Sequence, residues 1–111
     1  MKKLIVALLA AVMFTSAFAV GEVCVPKRDK NGNIARSSAV VRQFRKENAC
    51  PSTGLFKGTC PGYQVEHKEP LCACGSDTLD NLRWLDDTTH HAKTKVDLKT
   101  CAAIRKANKV K

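Results

Sequence analysis

Residues 62–71 read GYQVEHKEPL and residues 80–94 read DNLRWLDDTTHHAKT. In the first stretch Tyr63 and Val65 alternate with polar neighbours, the period of a short strand over Tyr63 to His67, and Pro70 stops ladder pairing soon afterwards. In the second, Leu82 and Trp84 stand two apart, which gives a second strand over Asn81 to Leu85. Asp86, Asp87, Thr88 and Thr89 then carry helix-start chemistry. A helix is expected from about Thr88 through Ala92, Lys93 and Lys95 to about Lys99, with Cys101 to Lys111 either extending it or forming a basic tail. The connection Cys72 to Asp80 is turn-rich, with Gly75, Ser76 and Asp77. The order is strand, loop, strand, helix, and the fold class is α+β.

Upstream, Cys50 to Gly62 is rich in Pro, Gly, Ser and Thr and reads as a loop. Cys50 and Cys60 at its ends suggest a closing staple, worth about 2–3 kcal/mol through the unfolded state. A further helix precedes it. Ser37 or Ser38 can cap that helix, and Val40, Val41 and Phe44 share one face. It should end by Asn48 or Ala49, before Cys50-Pro51, with Arg42, Arg45 and Lys46 on a basic outer face. Val20 to Asn33 reads as an irregular arm, with a turn at Asn31-Gly32.

The ends and the composition bound the class. Lys2 and Lys3, the apolar run Leu4 to Phe14 and the small-x-small step Ala17-Phe18-Ala19 form an export signal over residues 1–19. The apolar run is too short to span a bilayer comfortably, so no retained membrane anchor is expected. Removing 19 of 111 residues leaves 92, and two lysines go with them, which takes the formal charge from +9 to +7. Residues 20–111 are then one domain. A Rossmann domain, a TIM barrel or an α/β hydrolase does not fit in that length. All six cysteines lie in this part, and an even count in an exported chain reads first as a disulfide framework. Six cysteines allow fifteen pairings, and the sequence does not choose among them. A structural zinc site on Cys50, Cys60, Cys72 and Cys74 is the alternative, although the spacings depart from the usual double C-x-x-C. The positive charge reads either as a solvated surface or as the footprint of a polyanion partner.

The polar residues of the carboxy-terminal half suit one chemistry. Phosphodiester hydrolysis needs a water made nucleophilic and a cation to offset charge on the phosphate and the leaving oxygen. A neutral imidazole suits the first task, and a carboxylate with a second imidazole can hold one divalent metal for the other. Glu66-His67, Asn81 and His90-His91 are the candidates. Neighbours such as Glu66 and His67 point to opposite faces of a regular strand, so both reach one site only where the strand bends or ends.

Together these residues resemble the HNH endonuclease motif over residues 62–94. That motif has an acidic residue followed by His, a Pro-Leu step, a Gly-containing loop, an Asn-Leu pair and a last His closely followed by Lys-Thr. Here these are Glu66-His67, Pro70-Leu71, Gly75, Asn81-Leu82 and His90 with Lys93-Thr94. The resemblance implies a ββα-metal core, with an additional amino-terminal helix and disulfide staples in this chain. It implies His67 as general base, Asn81 as the residue that orients the base and supports the site, and Glu66 and His90 as metal ligands, with His91 the runner-up to His90. Glu66 departs from the commoner Asp-His form by one methylene. Arg83, Lys93 and Lys95 near the motif are candidate phosphate contacts that position the backbone without reading bases. The cofactor implied is one divalent ion, Mg, Mn or Zn. The expected protein is an exported, periplasmic or secreted, monomeric endonuclease acting on DNA, with RNA as a second substrate, and with little sequence specificity. The competing reading is a non-enzymatic, disulfide-stapled basic module that binds nucleic acid or an anionic surface.

Overall fold

A computed structural model describes residues 23–109. The expected export signal lies outside the described residues. Within them the chain is a small mixed α/β structure of two helices and a two-stranded antiparallel sheet, joined by three disulfides. Helix α1 spans Ser38–Glu47, strand β1 Tyr63–His67, strand β2 Leu82–Asp86 and helix α2 Asp87–Lys109.

Helix α1 forms where its apolar stripe requires. Phe44 is buried, Val40 and Val41 are half-buried, and the chain leaves the helix at Asn48 before Cys50-Pro51. Ser37 stands at the N-cap position, but its side chain makes no capping hydrogen bond. Its backbone N–H donates instead to Asp77 Oδ2 at 2.7 Å. Trp84 of β2 meets this helix. Its ring lies 6.1 Å from that of Phe44, its indole N–H donates to the Asn48 carbonyl at 3.0 Å, and the Arg45 guanidinium sits 5.5 Å over its face. Trp84 is half-buried, and an indole that packs its ring and satisfies its N–H anchors one layer to the next.

The two strands pair as Tyr63 with Asp86, Val65 with Trp84, Glu66 with Arg83 and His67 with Leu82. Strand β2 starts one residue later than its apolar pattern implies, because Asn81 closes a 3-10 turn over Leu79–Asn81. The loop between the strands is locked by its own backbone. Gly75 N–H and Ala73 N–H both donate to the Pro70 carbonyl. A Cβ on Gly75 would overlap the Glu69 carbonyl oxygen and crowd Asn81 Nδ2, so only glycine fits there.

Helix α2 follows β2 directly. Asp86 Oδ2 accepts the Thr89 N–H at 2.9 Å, a carboxylate cap at the positive end of the helix. The helix runs ten residues beyond the Lys99 end expected from propensity, so the basic segment is helical to Lys109. Nothing in residues 100–109 breaks a helix, and tertiary ties hold that end: Cys101 bonds to Cys72, and Asn108 Nδ2 donates to the Cys24 carbonyl.

The remaining pairs are Cys50–Cys60, which closes the loop as expected, and Cys24–Cys74, which fastens the amino-terminal arm to the inter-strand loop. With all six cysteines paired, the four-cysteine zinc alternative is replaced by staples. They supplement a thin core. Among the described residues the buried apolar side chains are Pro26, Phe44, Leu71, Leu82 and the half-cystines Cys50 and Cys101.

Candidate active site

Strand β1 ends at His67, and this termination resolves the pleat problem. Glu66, His67 and His90 all line one hollow of about 320 Å3, together with Arg36, Thr94 and Asp97. Glu66 comes from β1, His67 from its last position and His90 from the first turn of α2. His91 is exposed and does not line the hollow.

Glu66 is a buried carboxylate, 8% exposed. Its Oε1 accepts Arg83 Nε at 2.8 Å across the sheet, and its Oε2 lies 3.7 Å from Lys93 Nζ. A buried charge needs such partners. Lys93 also pairs with Asp97 one turn along α2 and reaches the His67 carbonyl at 3.3 Å. The ammonium donates hydrogen bonds to Asp97 Oδ2 and the His67 carbonyl, and its contact with Glu66 is a charge pairing. Lys93 therefore points inward as a counter-charge. Among the described residues Arg83 is hydrogen-bonded through Nε, and its side chain is 41% exposed. Lys95 is exposed on α2. Lys93→Ala should destabilise the fold by about 1–3 kcal/mol, between the values for exposed and buried pairs. Lys95→Ala should shift it by less than about 0.5 kcal/mol. Urea unfolding of the two variants checks this, and equal midpoints would contradict the inward role.

The Asn81 side chain makes no hydrogen bond to His67. Its Oδ1 accepts the Glu69 N–H at 3.0 Å, and its Nδ2 donates to the Glu69 and Ser76 carbonyls at 2.9 and 2.7 Å. It ties the start of the inter-strand loop, at Glu69, to its middle, at Ser76. The partner of His67 is Asp77. His67 Nε2 and Asp77 Oδ1 are 3.0 Å apart, with side chains 14% and 26% exposed. Burial raises the Asp77 carboxyl, but the His67 hydrogen bond, the Ser37 N–H and the charges of His67 and Arg36 outweigh it and hold it below the ordinary value. Asp86 is also held low, chiefly by the hydrogen bonds from Thr89.

Asp77 and Arg36 are not legible as site residues in the sequence. Asp77 lies ten residues from His67 in a Gly-Ser-Asp-Thr stretch, whose composition reads as turn chemistry. Arg36 lies in the arm, far in sequence from the motif. Only the folded arm brings it to the hollow.

A carboxylate and two imidazoles around one hollow are chemically suited to a divalent cation. Glu66 and His90 are the residues that would hold it. Among the described residues no three His, Cys, Asp or Glu side chains converge on a single point, and the Glu66 carboxylate is engaged by Arg83 and Lys93.

No family model, curated protein or solved structure matches this chain.

Proposed function

We propose that the chain is an exported, metal-dependent endonuclease of the HNH type, built on a ββα-metal core. The observation that carries this reading is the meeting of Glu66, His67 and His90 at one hollow, beside a loop that Asn81 clamps. In this mechanism His67 takes the proton of the attacking water, and Asn81 fixes the loop that follows the base. Arg36, Arg83 and Lys95 face the phosphates, while Lys93 neutralises Glu66 and Asp97. A divalent ion held by Glu66 and His90 would offset charge on the phosphate and the leaving oxygen. DNA is the expected substrate and RNA the second one. The candidate contacts Arg36, Arg83 and Lys95 would engage phosphates rather than base edges, so the proposed cleavage has little sequence specificity. Three disulfides suit an oxidising compartment, the periplasm or the exterior, where the DNA encountered is not the cell's chromosome. Phage exclusion, defence, scavenging and intercellular toxicity all fit such an activity.

The pairing of Glu66 with Arg83 and Lys93 favours a second reading, a stapled basic module that binds polyanions without turnover. Turnover separates the two. A nuclease converts excess plasmid per molecule in Mg2+ or Mn2+, whereas a binding module saturates at a fixed stoichiometry and falls off with salt.

The metal assignment gives a separate expectation. His90→Ala should weaken Mn2+ or Zn2+ binding at least about tenfold, while His91→Ala leaves it near the wild-type value. Both variants should stay folded, since a helix tolerates alanine. Calorimetric titration decides, and a larger effect at His91 would contradict the assignment.

A further inference from the structure

We infer that Asp77 is the positioning residue of His67, and that the amino-terminal arm belongs to the catalytic apparatus through Ser37. This inference rests on the nuclease reading above.

An ionised carboxylate only accepts hydrogen bonds. The 3.0 Å contact between His67 Nε2 and Asp77 Oδ1 therefore places a proton on Nε2 of the neutral imidazole. The lone pair is then on Nδ1, and Nδ1 is the atom that accepts a proton from water. The other carboxylate oxygen is not free to rotate away, because Ser37 N–H donates to Oδ2 at 2.7 Å. Ser37 opens α1, and the arm before it is fastened by Cys24–Cys74 to the same loop that carries Asp77. Arm and loop also enclose a second hollow of about 410 Å3, lined by Arg36, Ser37 and Asp77 with Val25 and Pro26. The arm thus holds the carboxylate, and the carboxylate holds the base in one tautomer.

Ser37 makes the isosteric variant informative. In Asp77→Asn the amide has one acceptor oxygen and one donor nitrogen. Keeping the Ser37 N–H bond turns the oxygen toward Ser37 and the NH2 toward His67. Nε2 must then accept, the proton moves to Nδ1, and the lone pair leaves the atom that serves the water. Glu at the same position keeps an acceptor toward the imidazole.

The test compares the wild type, Asp77→Asn and Asp77→Glu, each oxidised and shown to be folded by its amide NMR spectrum. Two readouts are taken: the imidazole 15N shifts of His67, at a pH that keeps the ring neutral, and plasmid cleavage with saturating Mn2+. The wild type should show a bare Nδ1 and a protonated Nε2. Asp77→Asn should move the proton toward Nδ1 and lower kcat by about 10²–10⁴-fold, the usual worth of general-base assistance, with KM little changed. Asp77→Glu should restore the wild-type tautomer and part of kcat, which a merely structural role would not do. The inference is overturned if wild type cleaves and Asp77→Asn matches it in kcat, or if the tautomer is the same in both. If Asp77→Asn does not fold, the Glu variant decides alone: loss of the Nε2–H tautomer with kcat unchanged overturns the inference. A wild type that cleaves nothing removes the nuclease reading, and the catalytic role of Asp77 with it, whereas a wild type that cleaves at the same rate as Asp77→Asn removes only the latter.

Discussion

His67→Ala should lose at least about 10²–10⁴-fold in cleavage rate while keeping its fold, its DNA affinity and its metal affinity. The retention follows from the structure as much as the loss does. His67 is the last residue of β1, and its side chain gives one hydrogen bond, to Asp77. Without it Asp77 still accepts the Ser37 N–H, so the arm stays docked. Glu66 keeps Arg83 and Lys93, and His90 is on another element, so the residues assigned to the metal are untouched. Arg36, Arg83 and Lys95 keep their charges. Single-turnover cleavage, set beside DNA binding at two salt concentrations, separates chemistry from electrostatics. A folded His67→Ala protein that nicks plasmid at the wild-type rate would remove His67 from the mechanism.

Reduction should unfold the protein. The three disulfides span sequence separations of 50, 10 and 29 residues. In the chain-entropy account the contribution runs from about 2–3 kcal/mol for the shortest loop to about 4 kcal/mol for the longest. The loops overlap, so about 10 kcal/mol is an upper figure, yet it is comparable with the whole stability of a domain this size. The apolar core offers little in compensation, since among the described residues its few buried members include the half-cystines Cys50 and Cys101 themselves. The single tryptophan reports the outcome, because Trp84 is ordered by Phe44, Arg45 and Asn48. Its near-UV circular dichroism should vanish on reduction and alkylation and return on reoxidation. A reduced, alkylated chain that keeps this signal and unfolds cooperatively would contradict the dependence on staples.

Local pattern made the elements legible. The Tyr63/Val65 alternation placed β1 at its observed limits, and the Val40, Val41 and Phe44 stripe placed α1. Both signals arise from burial of one face, which sequence period reports directly. The end of α2 was not legible, because its last turns are held by Cys72 and Cys24, both remote in sequence. The same holds at the site. Glu66, His67 and His90 could be named from the motif they resemble. The inward turn of Lys93 follows from a carboxylate, Asp97, that no motif singles out, and from a buried Glu66 that requires a counter-charge. The Asp77 contact depends on a loop and an arm whose positions are set by Asn81 and Cys24–Cys74. Side chains gathered by long-range staples leave no periodic trace along the chain.

Plasmid cleavage by the purified, oxidised protein, followed over time with Mg2+ or Mn2+ and again with EDTA, tests the nuclease reading most directly. The expected result is conversion of supercoiled plasmid to nicked and then linear forms over many turnovers, abolished by EDTA and absent from a parallel His67→Ala preparation. Plasmid that is bound and retarded but never cut, with either metal, would contradict it.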